Sequence, residues 1–293
     1  MEDKPYKAVL IVGCGYIGRR VALRLSSENC QVTGCVRSEA GAAALKDAGI
    51  TVLQADLDSG IPHAALDGFE DVFYFAPPPR DGDTDTRMQT FLQALDAGGV
   101  RRIVYISTSA VYGDCQGAWI DESQVTEPTT GRGRRRLDAE QQLTAWCGHH
   151  DVQWTTLRVP GIYGPGKLPL ARLEKGLPVL CEADAPYTNR IHGDDLAMVC
   201  VAAMQADTCN TVYNVSDGHP SNMTDYFFRV ADTAGLPRPP VVSREEAEAV
   251  LSSGMLSFLA DSRRMKNDRL LGELDVTLQY PDLDAGLAGC FRD

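Results

Sequence analysis

The stretch Val9-Leu10-Ile11-Val12-Gly13-Cys14-Gly15-Tyr16-Ile17-Gly18 decides how the rest of the chain is read. An apolar run of strand length enters Gly-x-Gly-x-x-Gly, and Ile17–Ser27 continues with helical spacing. Each glycine has a task in a loop that cradles a pyrophosphate. Gly13 permits the tight turn, Gly15 lets phosphates approach the backbone, and Gly18 lets helix and strand pack closely. The helix start at Tyr16 and Ile17 then offers free N–H groups and a positive dipole end. Alone the motif is weak. Between a strand and a helix, opening a β-α-β pattern, it predicts a dinucleotide site.

Outward from this loop, strand-like runs alternate with helical ones. Gln31–Val36, Thr51–Gln54, Asp71–Phe75, Arg102–Ser107 and Gln153–Arg158 read as strands. Glu39–Ala48, Thr84–Ala97 and Arg134–Trp146 read as helices between them. The pattern predicts an α/β fold, a Rossmann-like doubly wound parallel sheet. After Arg158, glycines and prolines from Pro160 to Pro178 exclude one long helix. The expected organisation is a dinucleotide-binding domain over 1–158, with 191–236 returning to it. Segments 159–190 and 237–293 form a small discontinuous C-terminal substrate lobe.

Composition narrows the partners. The 293 residues hold 28 Lys+Arg against 40 Asp+Glu, a net charge of −12. That balance argues against nucleic acid and against anionic membranes, and no apolar run reaches the roughly 18–20 residues of a membrane span. Nine scattered cysteines without a Cys-x-x-Cys pair argue against a disulfide framework or a metal ribbon, so no metal is expected. Free thiols and a start without a signal-peptide layout point to the cytoplasm. Asp81–Asp85 begins like a calcium loop but lacks its glycine and glutamate positions, and reads instead as a cap for the next helix.

The tip of the second strand, Val36-Arg37-Ser38, lacks the carboxylate that usually meets the ribose of NAD. Arg37 and Ser38 suit a 2′-phosphate, so NADP is expected, with NAD as the alternative. Ser38 also suits the N-cap of the following helix. Beyond the strand Arg102–Ser107, the hydroxyls of Thr108 and Ser109 stand where a bound nicotinamide would lie.

With that segment, Ser107-Thr108-Ser109-Ala110-Val111-Tyr112-Gly113, the chain resembles the extended short-chain dehydrogenase/reductases, the NAD-dependent epimerase/dehydratase family. Ala55-Asp56-Leu57 is similar to the family's adenine-binding Asp-Leu pair. Leu157–Gly166 and Arg190–Leu196 resemble its substrate-flanking segments. The resemblance implies Thr108 as the catalytic hydroxyl, Asp56, Leu57, Ala76 and Pro77 at the cofactor, and Ser109, Tyr163 and Arg190 at the substrate. It also implies a homodimer through the helices after strands four and five, the first of which carries Phe91, Leu92 and Leu95.

One departure matters more than the matches. The family's Tyr-x-x-x-Lys pair falls on Arg132 and Arg136 in the run Gly131–Arg136. Arginine does not exchange protons near neutrality. Arg136 is expected to bond the ribose and supply positive charge. Arg132 is expected either to bind an anionic substrate group or to lie exposed between two glycines, the latter being favoured. The proton then comes from Tyr163, Tyr112, His192, water or the substrate, with the two tyrosines first. At strand four the three prolines Pro77–Pro79 remove amide donors. Three functions are compatible: an NADP(H)-dependent oxidoreductase acting on a small or medium polar metabolite, a sugar-nucleotide epimerase/dehydratase, or a non-catalytic NADP(H)-binding sensor.

Overall fold

The computed structural model describes residues 7–28 and 30–291. Its first half lays down β1 (Ala8–Val12), α1 (Tyr16–Ser27), β2 (Gln31–Val36), α2 (Glu39–Asp47) and β3 (Thr51–Gln54). β4 (Asp71–Tyr74), α3 (Thr86–Ala94), β5 (Arg102–Thr108) and α4 (Gly131–His150) follow. Strands Gln153–Val159 and Thr211–Asn214 complete a seven-stranded sheet. All seven are parallel, in the order Thr211–Asn214, Gln153–Val159, β5, β4, β1, β2, β3. The sheet is the Rossmann-like doubly wound sheet that the alternating pattern predicts.

Strand alternation divides two cores. On β1, Val9 and Ile11 face α1 and the helix Gly193–Gln205, with Val21, Leu25, Leu196 and Val199. Leu10 and Val12 face α3 and α4, with Met88, Phe91, Leu143 and Cys147. The central strands are buried on both faces, which explains their continuous apolar runs. Phe91, Leu92 and Leu95 are buried in this core. The apolar residues named for a dimer face are thus spent inside their own chain.

Crossovers reverse direction between β1 and β4, leaving a crevice beyond their carboxyl ends where ligands of such sheets sit. Loops are tied locally. Ser38 Oγ accepts from Gly41 N at 3.1 Å, and Asp85 Oδ1 accepts from Arg87 N and Met88 N. The acidic loop 81–85 is therefore a helix cap.

The second half distributes itself differently from the expected boundaries. The helix Met223–Thr233 packs in the lobe, its Phe227 and Val230 meeting Leu173, Leu283 and Leu287. Periodicity marks which face of a helix is buried, not what covers it. Conversely, the helix Asp268–Glu273 returns to the main core through Leu270. α4 starts at Gly131, capped by Thr130 Oγ1, rather than at Arg134. The Arg-rich run is thereby its first two turns.

Candidate active site

A groove of about 560 Å³ opens over the glycine turn. Gly13, Gly15, Tyr16, Arg37, Ser38, Asp56, Leu57, Ala76 and Pro77 all line it. Gly13 has φ +80°, and a Cβ there would come within 2.5 Å of Ala76 N. A Cβ on Gly18 would press Ile11 Cγ2 at 3.1 Å, where α1 crosses β1. Gly15 is different: the nearest atom to a Cβ would be Gly13 O at 3.9 Å, so its front is open. Gly15 is also the N-cap of α1 and offers no side chain to its N–H groups. An open approach to uncapped amides is what a pyrophosphate needs, and these residues fit a dinucleotide.

At the adenosine end, Arg37 sits at the tip of β2 with an exposed side chain, 3.9 Å from Asp58. Asp58 is held mainly by Arg87, through bonds of 2.7 and 2.6 Å that keep its carboxyl below the usual range. Arg87 also donates to the carbonyls of Pro77 and Pro78 at 3.0 and 3.3 Å. Prolines lack N–H groups but keep acceptors, and Arg87 uses them to shape the groove wall. Nothing local in the sequence marks Arg87, which comes from α3.

The second cavity, about 330 Å³, lies between the tip of β5 and the lobe. Thr108, Ser109, Arg132, Tyr163 and Arg190 line it, joined by Tyr226, Phe258, Asp261 and Arg263. Thr108 Oγ1 accepts from Ala110 N at 3.3 Å, so its own proton remains free to donate. Arg136 Nη1 donates to Ile106 O at 2.9 Å, Tyr105 Oη at 3.1 Å and Ala76 O at 3.4 Å. It ties the end of β4 to β5, behind Ala76 of the groove and two residues before Thr108 of the cleft, and itself lines neither cavity.

Arg132 does not lie exposed. Gly133 is buried against the Ala110 carbonyl, 2.6 Å from where a Cβ would stand, so the glycine seats the helix instead of loosening it. Arg132 consequently faces the cleft, its guanidinium 4.0 Å above the Phe258 ring. Its Nε is buried without a hydrogen-bond partner. Arg190 is 7% exposed, stacks 3.8 Å over Tyr226 and donates to Thr188 Oγ1 at 2.6 Å.

The two tyrosines ranked first as proton donors are committed elsewhere. Tyr112 donates to Asn214 Oδ1 at 2.7 Å in a cluster with Val111, Ile120 and Met265, outside the cleft lining. Burial pushes its phenol up to about 12. Tyr163 keeps its ring at the cleft, but its hydroxyl donates to Asp282 O at 3.2 Å and abuts Gly286. Burial, followed by neighbouring Asp217, drives its phenol upward as well. His192 is 1% exposed and held below its ordinary value by burial. Phe258, Asp261 and Arg263 come from 150 residues beyond Thr108 and carry no motif, so spacing does not reveal them.

A family model described as NAD(P)H-binding matches residues 13–207. A solved structure from Silicibacter pomeroyi DSS, described as a functionally unknown conserved protein, is 32% identical with a TM-score of 0.85. The alignment covers 97% of this chain and 98% of that one. Protein YeeZ of Escherichia coli (strain K12) is 28% identical over 94% of this chain and 97% of its own length. MoeE5, solved in complex with UDP-glucose and NAD, is 21% identical with a TM-score of 0.76 and 96% coverage of both chains.

Proposed function

The chain belongs to the NAD(P)H-binding family, and on that premise we propose that it is an NADP(H)-dependent oxidoreductase. It is of the atypical extended short-chain dehydrogenase/reductase type and acts on a small or medium polar metabolite. One observation carries the reading: Ala76 of the groove and Thr108 of the cleft stand at the ends of the neighbouring strands β4 and β5, which Arg136 bridges through Ala76 O and Ile106 O. A cofactor seated in the groove thereby reaches the wall that presents Thr108.

When bound, the nicotinamide supplies or accepts a hydride. The chain's own residues do the rest. The start of α1 holds the pyrophosphate, Arg37 pairs with the 2′-phosphate, and Arg136 places positive charge beside the ribose. Thr108 donates a hydrogen bond to the substrate oxygen. Reduction of a carbonyl takes one hydride at carbon and one proton at oxygen. With Tyr112 and Tyr163 engaged, that proton comes from water or from the substrate. Among the described residues no helix is long and apolar enough to cross a membrane, and the nine cysteines are free thiols. The free thiols suit a reducing compartment such as the cytoplasm.

A second reading, a non-catalytic NADP(H)-binding sensor, is favoured by the buried hydroxyls of both tyrosines. A third, a sugar-nucleotide epimerase, draws on the UDP-glucose and NAD held by MoeE5. Quenching of protein fluorescence by NADPH and NADH, followed by a hydride-transfer screen, separates them. Arg37→Ala is expected to weaken NADPH about ten- to a hundredfold and leave NADH nearly unchanged. Equal losses would make Arg37 structural. Turnover abolished by Thr108→Val excludes the sensor, whereas NADPH binding without turnover on any carbonyl or alcohol supports it.

A further inference from the structure

In a chain of net charge −12, the cleft beside Thr108 is cationic: it is lined by three arginines and one carboxylate. Asp261 is spoken for, since its Oδ2 lies 3.3 Å from Arg263 Nη2 and its Oδ1 accepts from Thr129 Oγ1 at 2.9 Å. Among the described residues, no carboxylate lies within ion-pair distance of Arg132 or Arg190. Arg132 Nε is buried and unbonded, and Arg190 is more than nine-tenths buried with a hydroxyl as its hydrogen-bonding neighbour. A buried guanidinium (Arg190) and a buried guanidinium nitrogen (Arg132 Nε) without a direct ion pair are costly, and an incoming oxyanion relieves that cost. Stacking on Phe258 and Tyr226 fixes both guanidinium planes, which suits forked hydrogen bonding to a planar or tetrahedral acid group.

Position adds a second constraint. Gly133 seats the start of α4 against Ala110 O, two residues beyond Thr108. The Arg132 side of the cleft is thus close to the hydroxyl that meets the reacting oxygen. The cleft volume of about 330 Å³ is at the small end for ligand sites.

We infer that the cleft takes a compact metabolite bearing a carboxylate or phosphoryl group, gripped by Arg132 and Arg190, with its reacting carbon a few bonds from that group. Oxo or hydroxy acids and small phosphorylated carbonyl compounds have this form. Arg132 is here a binding and positioning residue, because a guanidinium does not release its proton near neutrality. The inference rests on the oxidoreductase reading for its chemistry, but not for its binding.

Glycerate, glycerol 3-phosphate and glycerol, titrated calorimetrically into NADP⁺-saturated protein, test it. At least one anion is expected to bind and glycerol is not. The better anion tells carboxylate from phosphoryl recognition. Arg132→Gln and Arg190→Gln should each weaken the anion about ten- to a hundredfold, while Arg132→Gln leaves cofactor affinity unchanged. Arg132→Lys, which keeps the charge and loses the fork, should fall between. Should Arg190→Gln fail to fold, the two Arg132 variants, on a partly exposed helix start, decide alone. Glycerol binding as well as the anions, neither anion binding, or anion affinity indifferent to Arg132 overturns the inference. Anion binding that depends on Arg132 in a protein that binds no nicotinamide cofactor would preserve the clamp and remove the oxidoreductase reading.

Discussion

A Cβ on Gly15 would meet only Gly13 O, at 3.9 Å, and would project into the groove, so a side chain there competes with a ligand and not with the fold. Gly15→Val should leave the thermal midpoint within a few degrees and weaken either nicotinamide cofactor at least about a hundredfold. Unchanged affinity in a folded variant would remove the groove as the cofactor site. Asp217 illustrates the opposite situation, a residue at odds with its surroundings. Its Oδ1 accepts from His219 N at 2.9 Å, its Oδ2 is buried without a partner, and burial pushes its carboxyl up to about 6. Because the folded carboxyl binds its proton more tightly than the unfolded one, this group favours folding below about pH 4. That contribution is lost as pH rises through 6. Asp217→Asn escapes the loss. Relative to wild type it should gain about 2–3 kcal/mol between pH 4 and pH 7.5 in denaturant titrations. A pH-independent difference would show that Asp217 titrates normally.

Among the elements, α4 bears the most responsibility. Its first turn presents Arg132 to the cleft, its second sends Arg136 to the strand tips, and its third buries Glu140 against the sheet. Glu140 pairs with Arg158 at 2.8 Å and accepts from Ser107 Oγ, tying α4 to β5 and to Gln153–Val159. With both partners buried, removing one leaves an uncompensated charge. Glu140→Gln should cost about 3–5 kcal/mol of stability, and pairing it with Arg158→Met should recover much of that. A loss below 1 kcal/mol would show that water reaches the pair. The helix also explains where the sequence was legible. The expected helix Arg134–Trp146 lies inside α4, but its start was legible only to within a turn, so Arg132 fell outside it. The expectation that Arg132 lies exposed between Gly131 and Gly133 fails because Gly133 is needed for close approach to Ala110.

Across the whole molecule, the lobe is fastened to the sheet by buried polar contacts as well as by apolar ones. Asp195, on the helix that covers α1, accepts from Gln279 N at 2.8 Å and Tyr280 N at 2.9 Å. That carboxylate is 1% exposed and satisfies two amides of the segment leading into the terminal helix Leu283–Cys290. Asp195→Ala should destabilise the chain by about 2–4 kcal/mol and open residues 277–291 to limited proteolysis or hydrogen exchange first. Since Tyr163 donates to Asp282 and lines the cleft, the same variant should weaken cleft ligands more than cofactor. Global unfolding with no earlier opening of 277–291 would show that lobe and sheet form one cooperative unit.

What the sequence determined by itself is what depends on short-range stereochemistry. A positive φ at Gly13, an open face at Gly15, close packing at Gly18, caps at Ser38 and Asp85 and apolar runs for doubly covered strands all act within a few residues. They specify the parallel sheet and the groove. The tertiary structure alone decided which groups meet across it. It brought Arg87 to Pro77, set Phe258 and Asp261 in one cleft with Thr108, turned the hydroxyls of Tyr112 and Tyr163 onto Asn214 and Asp282, and left Arg132 and Arg190 without an ion pair among the described residues. Such contacts join residues from ten to more than a hundred positions apart. They follow from how faces pack, and no spacing rule encodes packing at that range.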